Sequence, residues 1–287
     1  MEWTSSQVFI CGATRNCGKY LKDVFSNIKK VVDLFADFHI IISFDVSEDD
    51  TLLVLGEYKQ EFGDKMDILI NTKPLDTKHL ENIEVNNFRA INISNARNAY
   101  IEKMREKIKS GYMADYFIAM DMDDVCSGSM DIDVLRRVMD KNDEWDSVSF
   151  NHKRYGYYDL WAYSDDFFIY GCWGFHTGWV VTKMMKDCIE DKLSKMSTDE
   201  FMECKSAFNG FAVYKTSKFL DCCYDWHMPK QYMDLELIQH QQRCIGLPTI
   251  SPLDEQTDET DCEHRAFHMM ATDKNDARIR ISPLCLF

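Results

Sequence analysis

Apolar runs alternate with amphipathic stretches along the first part of the chain. Val8 to Cys11 is a short apolar run that stops at Gly12 and reads as a buried strand. Leu21, Val24, Phe25 and Ile28 recur at helical spacing and predict a helix over Lys19 to Lys30. Phe38 to Phe44 is a continuous buried strand ended by Asp45, and Ser47 to Asp50 supply capping residues for a helix over Leu52 to Phe62. Met66 to Ile70 reads as a third strand, and residues 72–88, with Pro74 and several Asn, as irregular loop. Ser94 is placed as the cap of a helix through Lys109, with Ala96, Tyr100, Met104 and Ile108 four apart on one face. Tyr116 to Met120 is a fourth strand that runs directly into Asp121-Met122-Asp123-Asp124.

Strand and helix in alternation predict an α/β fold with a mainly parallel central sheet flanked by helices. Ligands of such sheets bind outside the carboxyl ends of the strands. Three of the predicted ends carry polar groups: Thr14-Arg15-Asn16, Asp45 and the Asp121 cluster. The second half is less regular and rich in aromatics between Tyr155 and Trp179, so it is expected to extend the sheet and shape a second binding site.

Composition narrows the function classes. The 287 residues are 45% hydrophobic, which excludes a disordered chain, and only 5 Pro and 12 Gly exclude a collagen-like or linker-dominated one. Lys plus Arg is 33 against 48 Asp plus Glu, a formal charge of −15, which argues against a nucleic-acid partner while leaving room for a local basic pocket. No linker or internal repeat divides the chain, so a single domain is expected. The 11 cysteines include no C-x-x-C pair, and reduced thiols are expected. No apolar run approaches the roughly 20 residues of a membrane span, and no signal-peptide core is present. A cytoplasmic, soluble protein is expected, or one whose anchor lies outside this sequence.

The acidic cluster carries the chemistry. Where a strand ends in a turn, two carboxylates at i and i+2 can converge on one hard cation such as Mg2+ or Mn2+. Two enzyme classes place such a cluster after an apolar strand. Nucleotide-sugar transferases use it to hold a divalent metal against the donor diphosphate. Haloacid-dehalogenase-like phosphatases use D-x-D-x-T/V, with the first Asp as nucleophile, and Asp121 to Val125 fits that pattern too. The phosphatase motif normally opens its domain, whereas three strand–helix units come first here.

Several segments, in order, resemble one family. They are Arg15 to Leu21, Ser43 to Thr51, Ala96-Arg97-Asn98, Phe117 to Asp124, Tyr157 to Ala162, Ser206 to Tyr214, Cys262-Glu263-His264 and Ile279 to Pro283. Together they resemble the GT-A-fold glycosyltransferases related to the fungal capsule-associated mannosyltransferases, with relatives in bacteria and large DNA viruses. The resemblance implies a Rossmann-like GT-A domain over 1–287, with a nucleotide-binding half at about 1–125 and an acceptor-binding half at about 126–287. It implies a nucleotide-sugar donor, UDP-sugar before GDP-sugar, a Mn2+ or Mg2+ ion, and a glycan or glycoprotein acceptor.

The resemblance also implies roles. Arg15 and Asp45 would flank the nucleoside, where a carboxylate accepts hydrogen bonds from ribose hydroxyls or a base N–H. Arg97, taken to sit at a helix start, would meet phosphate, and Arg89 is a further candidate. Asp121 and Asp123 would hold the metal with His264 as third ligand, while His268, four residues on, reads as structural. Glu263 or Asp261 would lie on the acceptor side, one carboxylate serving as general base if the enzyme inverts. Tyr157, Tyr158, Asp159 and Trp161 form an aromatic–acid patch, of which Asp159 and Trp161 are assigned to a sugar. Asn209-Gly210 resembles a donor-side loop in which Gly lets backbone approach a pyranose. Asp254 to Asp261 reads as a solvated stretch that could close as a lid. The alternatives are the phosphatase, with Asp121 as nucleophile, and a non-catalytic sugar-nucleotide-binding module.

Overall fold

The computed structural model describes residues 2–71, 85–169, 178–227, 229–245 and 260–287. The loop expected at 72–84, the aromatics at 170–177 and the acidic residues 254–259 lie outside the described residues. The first half builds β1 (Gln7–Thr14), α1 (Gly18–Val32), β2 (Asp37–Phe44), α2 (Thr51–Phe62), β3 (Met66–Ile70), α3 (Val85–Lys109) and β4 (Tyr116–Asp121). The second half adds α4 (Ile132–Met139), β5 (Ser147–Asn151), α5 (Gly178–Lys195), β6 (Met202–Cys204) and β7 (Phe211–Lys215). Then come α6 (Thr216–Phe219), α7 (Leu235–Ile245), α8 (Glu263–Asn275) and β8 (Ile279–Cys285).

Strands from both halves join one sheet in the order β3-β2-β1-β4-β7-β5-β8-β6. β3, β2, β1 and β4 are parallel, as the strand–helix alternation predicts. Beyond β4 the sheet is mixed. β7 runs antiparallel to both β4 and β5, β8 lies parallel to β5, and β6 closes the edge antiparallel to β8. The whole is an α/β fold whose parallel part is the half that carries the candidate site.

Alternate residues of the central strands feed two apolar layers, as the strand period requires. Val8, Ile10, Ile40, Ile42, Ile118 and Met120 pack against Leu21, Val24 and Phe25 of α1 and Leu55 of α2. Phe9, Cys11, Ile41, Phe117 and Ala119 face the other way, toward Tyr100 and Met104 of α3 and Phe267 of α8. Phe117 stacks on Tyr214 at 4.6 Å, so Phe117→Ala would cost about 3–5 kcal/mol. A third cluster, including Tyr157, Tyr163, Met185 and Ile189, lies beneath α5.

Two expectations for α3 are corrected. Residues 85–88 are helical rather than loop, and Ser94 lies buried inside the helix rather than at its cap. Its hydroxyl finds no hydrogen-bond partner among the described residues. Arg97 is therefore midway along α3, where no free backbone N–H groups await a phosphate. The described cysteines are all free thiols, and no helix among the described residues is long and apolar enough to cross a membrane.

Candidate active site

In the strand order 3-2-1-4, successive connections leave β1 in opposite directions, which opens a crevice at the carboxyl ends of β1 and β4. A cavity of about 540 Å3 lies there. Its walls are Ala13 to Arg15 after β1, Asp45 after β2, Asp121 to Asp123 after β4, and Arg89 to Arg97 along α3. The three polar strand ends legible in the sequence thus meet around one space. Arg15 and Asp45 face each other at 3.9 Å, both partly open to solvent. The second Asp45 oxygen accepts a hydrogen bond from the Val46 backbone N–H at 2.9 Å.

Asp121 is held from three directions. Arg97 donates from Nη2 to Oδ1 at 3.3 Å, and the Tyr158 hydroxyl donates to Oδ2 at 3.2 Å. The Asp121 backbone N–H donates to the Gly210 carbonyl at 2.8 Å. Burial, then repulsion from Asp123, raises the Asp121 pKa to about 7, against the lowering effect of Arg97. Burial also raises Asp123, whose Oδ1 accepts from the Val125 N–H at 3.1 Å. Asp159 is pushed to about 6 by burial and by the neighbouring Glu263 carboxylate.

Arg97 joins the two sides of the site. The residue is only 5% exposed. Its Nε donates to Glu263 Oε1 at 2.9 Å and its Nη1 to the Tyr100 hydroxyl at 3.3 Å. The guanidinium lies over Phe208 at 4.7 Å and over Tyr224 at 5.7 Å. The structure therefore assigns Arg97 to the carboxylates Asp121 and Glu263, which corrects its expected place at a helix start. Tyr100 was read only as part of the apolar face of the helix, Phe208 only as part of a resembling segment, and Tyr224 was not singled out. The i,i+3 spacing of Arg97 and Tyr100 along α3 is a local signal for that contact, whereas Phe208 and Tyr224 come from distant segments.

Gly210 also has a different role from the one expected. At φ 85° it takes the left-handed backbone that favours glycine, and an added Cβ would lie 2.7 Å from the Tyr158 hydroxyl and 2.5 Å from Val125 Cγ1. The close neighbours are thus the protein's own groups. The preceding Asn209, also left-handed at φ 58°, is a hub. Its Oδ1 accepts from the backbone N–H of Tyr158 at 2.9 Å and of Asp159 at 3.2 Å. Its Nδ2 donates to the carbonyls of Phe150 at 2.8 Å and Gly156 at 3.3 Å. In this way β7 brings a late loop to the end of β4 and sets Tyr158 and Asp159 beside Asp121.

The two histidines of α8 differ. His268 is satisfied: Ala207 N–H donates to Nδ1 at 3.4 Å, which leaves the proton on Nε2, 3.1 Å from the Tyr214 hydroxyl. Ser206 Oγ also lies 2.9 Å from Nδ1. His264 stacks on Phe208 at 3.9 Å, and neither ring nitrogen finds a hydrogen bond among the described residues. Burial, then the Arg97 charge, keeps it neutral. Its Nε2 lies 3.6 Å from Glu263 Oε1, and among the described residues no three metal-type side chains converge as a ready site. Trp161 packs between two apolar clusters, its indole N–H buried without a partner among the described residues. Tyr157 is a core residue. Asp261 is fully buried against Arg265 at 2.7 Å, so it is structural.

No protein-family model matches the chain, and no curated protein matches it in sequence. Solved structures similar to it include S. aureus TarS 1-349 in complex with UDP-GlcNAc, at 11% identity over 97% of this chain and 57% of that one, with a TM-score of 0.46. Mannosyltransferase PcManGT from Pyrobaculum calidifontis, in complex with GDP-Man and Mn2+, is similar at 12% identity over 77% of this chain and 48% of that one, TM-score 0.41. Glucosyl-3-phosphoglycerate synthase from Mycobacterium tuberculosis is similar at 9% identity over 75% of this chain and 57% of that one, TM-score 0.39. The chain spans less than two thirds of each of these three structures.

Proposed function

We propose that the protein is a metal-dependent GT-A glycosyltransferase that moves a sugar from a nucleotide diphosphate, UDP-sugar before GDP-sugar, to a hydroxyl of a glycan or glycoconjugate. One observation carries this. The cavity at the carboxyl ends of β1, β2 and β4 has Asp121 and Asp123 in its wall, and the nearby Asp159 and Glu263 crowd further negative charge around Arg97.

The donor set fits a hard divalent cation. Asp121 and Asp123 are oxygen ligands at i and i+2, and both are less acidic than an exposed Asp because their charges are buried together. A cation between them relieves that cost. Asp121 and Asp123 would hold Mn2+ or Mg2+; His264, which does not converge with them in this structure, would have to move to serve as a third protein ligand. When bound, the metal would supply charge neutralisation for the leaving diphosphate. Arg15 and Asp45 would hold the nucleoside, and Arg89, on the α3 wall, would face the phosphates. Arg97 holds Asp121 and Glu263 in place. Asp159 and Glu263 would orient the acceptor hydroxyl, and Asp159, at about 6, is suited to taking its proton near neutrality. Trp161 would contribute an apolar face to the sugar.

The test is a panel of UDP- and GDP-sugars with Mn2+, read by thermal shift and then by nucleotide release. Stabilisation followed by metal-dependent release of UDP is expected. Stabilisation without release would mean a binding module. Capture of a phosphate mimic on Asp121, without nucleotide-sugar binding, would mean the phosphatase.

A further inference from the structure

The turns after β1 and β2 are stitched together by side chains that the proposed chemistry does not use. Asn16 sits between them in a left-handed conformation at φ 51°, which Asn tolerates better than most residues. Its backbone N–H donates to Ser47 Oγ at 3.0 Å, and its Oδ1 accepts from the Glu48 N–H at 2.7 Å. The next two N–H groups, at the start of α1, are also taken by the β2–α2 turn. Cys17 N–H donates to Thr51 Oγ1 at 2.9 Å and Gly18 N–H to Asp49 Oδ2 at 2.9 Å. The other oxygen of Asp49 accepts from both the hydroxyl and the N–H of Thr51. The turns pack closely here: a Cβ on Gly18 would fall 2.0 Å from Asp50 Oδ1. Asp49 thus fills the position at a helix N-terminus where many α/β proteins take a phosphate.

Arg15 immediately precedes Asn16, and Asp45 lies two residues before Ser47, whose hydroxyl donates to the Asp45 carbonyl at 3.0 Å. The backbone at both cavity-lining residues is therefore tied to this one hydrogen-bonded seam. Side chains on two surface turns would otherwise be ordered only when ligand binds, at a cost to affinity.

We propose that Asn16 and Asp49 are positioning residues that lock the β1–α1 and β2–α2 turns into one unit, and so preset the spacing of Arg15 and Asp45 across the nucleoside end of the cavity. The link to the nucleoside rests on the proposed donor site; the lock itself does not.

Three variants separate the effects. Asn16→Gly keeps the left-handed backbone and removes only the amide, Asn16→Asp keeps an acceptor for the Glu48 N–H, and Asp49→Ala frees the start of α1. Hydrogen–deuterium exchange is read over both turns. Asn16→Gly and Asp49→Ala are each expected to speed exchange in the unsubstituted turn as well as their own, and Asn16→Asp to restore slow exchange. Exchange that rises only in the substituted turn overturns the lock. Calorimetry with UDP and Mn2+ provides the second readout. Losing one such hydrogen bond is expected to weaken UDP binding about tenfold, with KM for donor raised and kcat held. Coupled exchange with UDP affinity unchanged overturns the presetting role. If UDP fails to bind the unaltered chain, the donor assignment fails, and exchange still decides the lock.

Discussion

Asp121 and Asp123 sit where β4 ends, and the carboxyl ends of strands are where a parallel sheet exposes its polar groups. Asp121→Asn and Asp123→Ala are expected to lower metal-dependent donor cleavage by about 10³-fold, while far-ultraviolet circular dichroism stays native. Full activity in either variant, or in excess chelator, would remove the metal role. Asn209 was legible only as a loop residue. Its four hydrogen bonds reach Phe150 in β5 and the turn from Gly156 to Asp159, and nothing local announces them. Asn209→Ala leaves buried backbone groups unpaired and puts a Cβ residue without a polar side chain at positive φ. It should lose about 3 kcal/mol in chemical denaturation. Asn209→Gly would recover the conformational part alone. Donor cleavage should slow in both variants, because Tyr158 is no longer held against Asp121.

The elements of the first half were readable because each strand is a run of apolar residues ended by a polar one, and each helix presents an apolar stripe. α3 was misread at its start because Ser94 looks like a cap. The structure buries Ser94 within the helix, where tertiary packing overrides the local preference. That shift of helix start moved Arg97 from an expected phosphate site to an ion pair with Asp121 and Glu263. Strands β5, β6 and β7 are three to five residues long, and pairing with distant partners settles them, so their order was not legible. Gly210→Ala tests the junction they make. The strained φ and the contacts with Tyr158 and Val125 should cost about 1–3 kcal/mol and displace Tyr158. A fall in melting temperature together with slower donor cleavage would show it. Unchanged values of both would mean that the loop absorbs the methyl group.

At the scale of the whole molecule, buried ionisable groups pull stability in opposite directions with pH. His268 titrates near 3 in the fold, because burial disfavours its charged form, against about 6.5 when unfolded. The unfolded chain then binds the extra proton, so this contribution is lost as pH falls below about 6.5. Asp146 is held well below the usual carboxylate range by Arg278 and Lys215, although burial opposes them. Its contribution disappears only below about pH 4. Asp121 and Asp159 act the other way. Raised to about 7 and about 6, they favour the fold at low pH and lose that contribution as pH rises. Added Mn2+ should therefore raise the melting temperature more at about pH 8 than at about pH 5, where the carboxylates are closer to neutral. Equal shifts at both values, measured by differential scanning fluorimetry, would place the cation elsewhere. Part of the −15 charge is gathered around Arg97, in Asp121, Asp123, Asp159 and Glu263.

The antiparallel placement of β7 has a consequence in time. A chain emerging from the ribosome completes β1 to β4 early, and these strands can pair with one another at once. The outer backbone edge of β4, a strand buried at every residue but Asp121, must then wait for Phe211 to Lys215 before it is covered. Until that moment its unpaired backbone is a template for the wrong neighbour. A fragment ending before residue 211 should accordingly collect in inclusion bodies rather than accumulate as a small soluble domain. The hydrogen bond from the Asp121 backbone N–H to the Gly210 carbonyl would form in the same event that covers this edge.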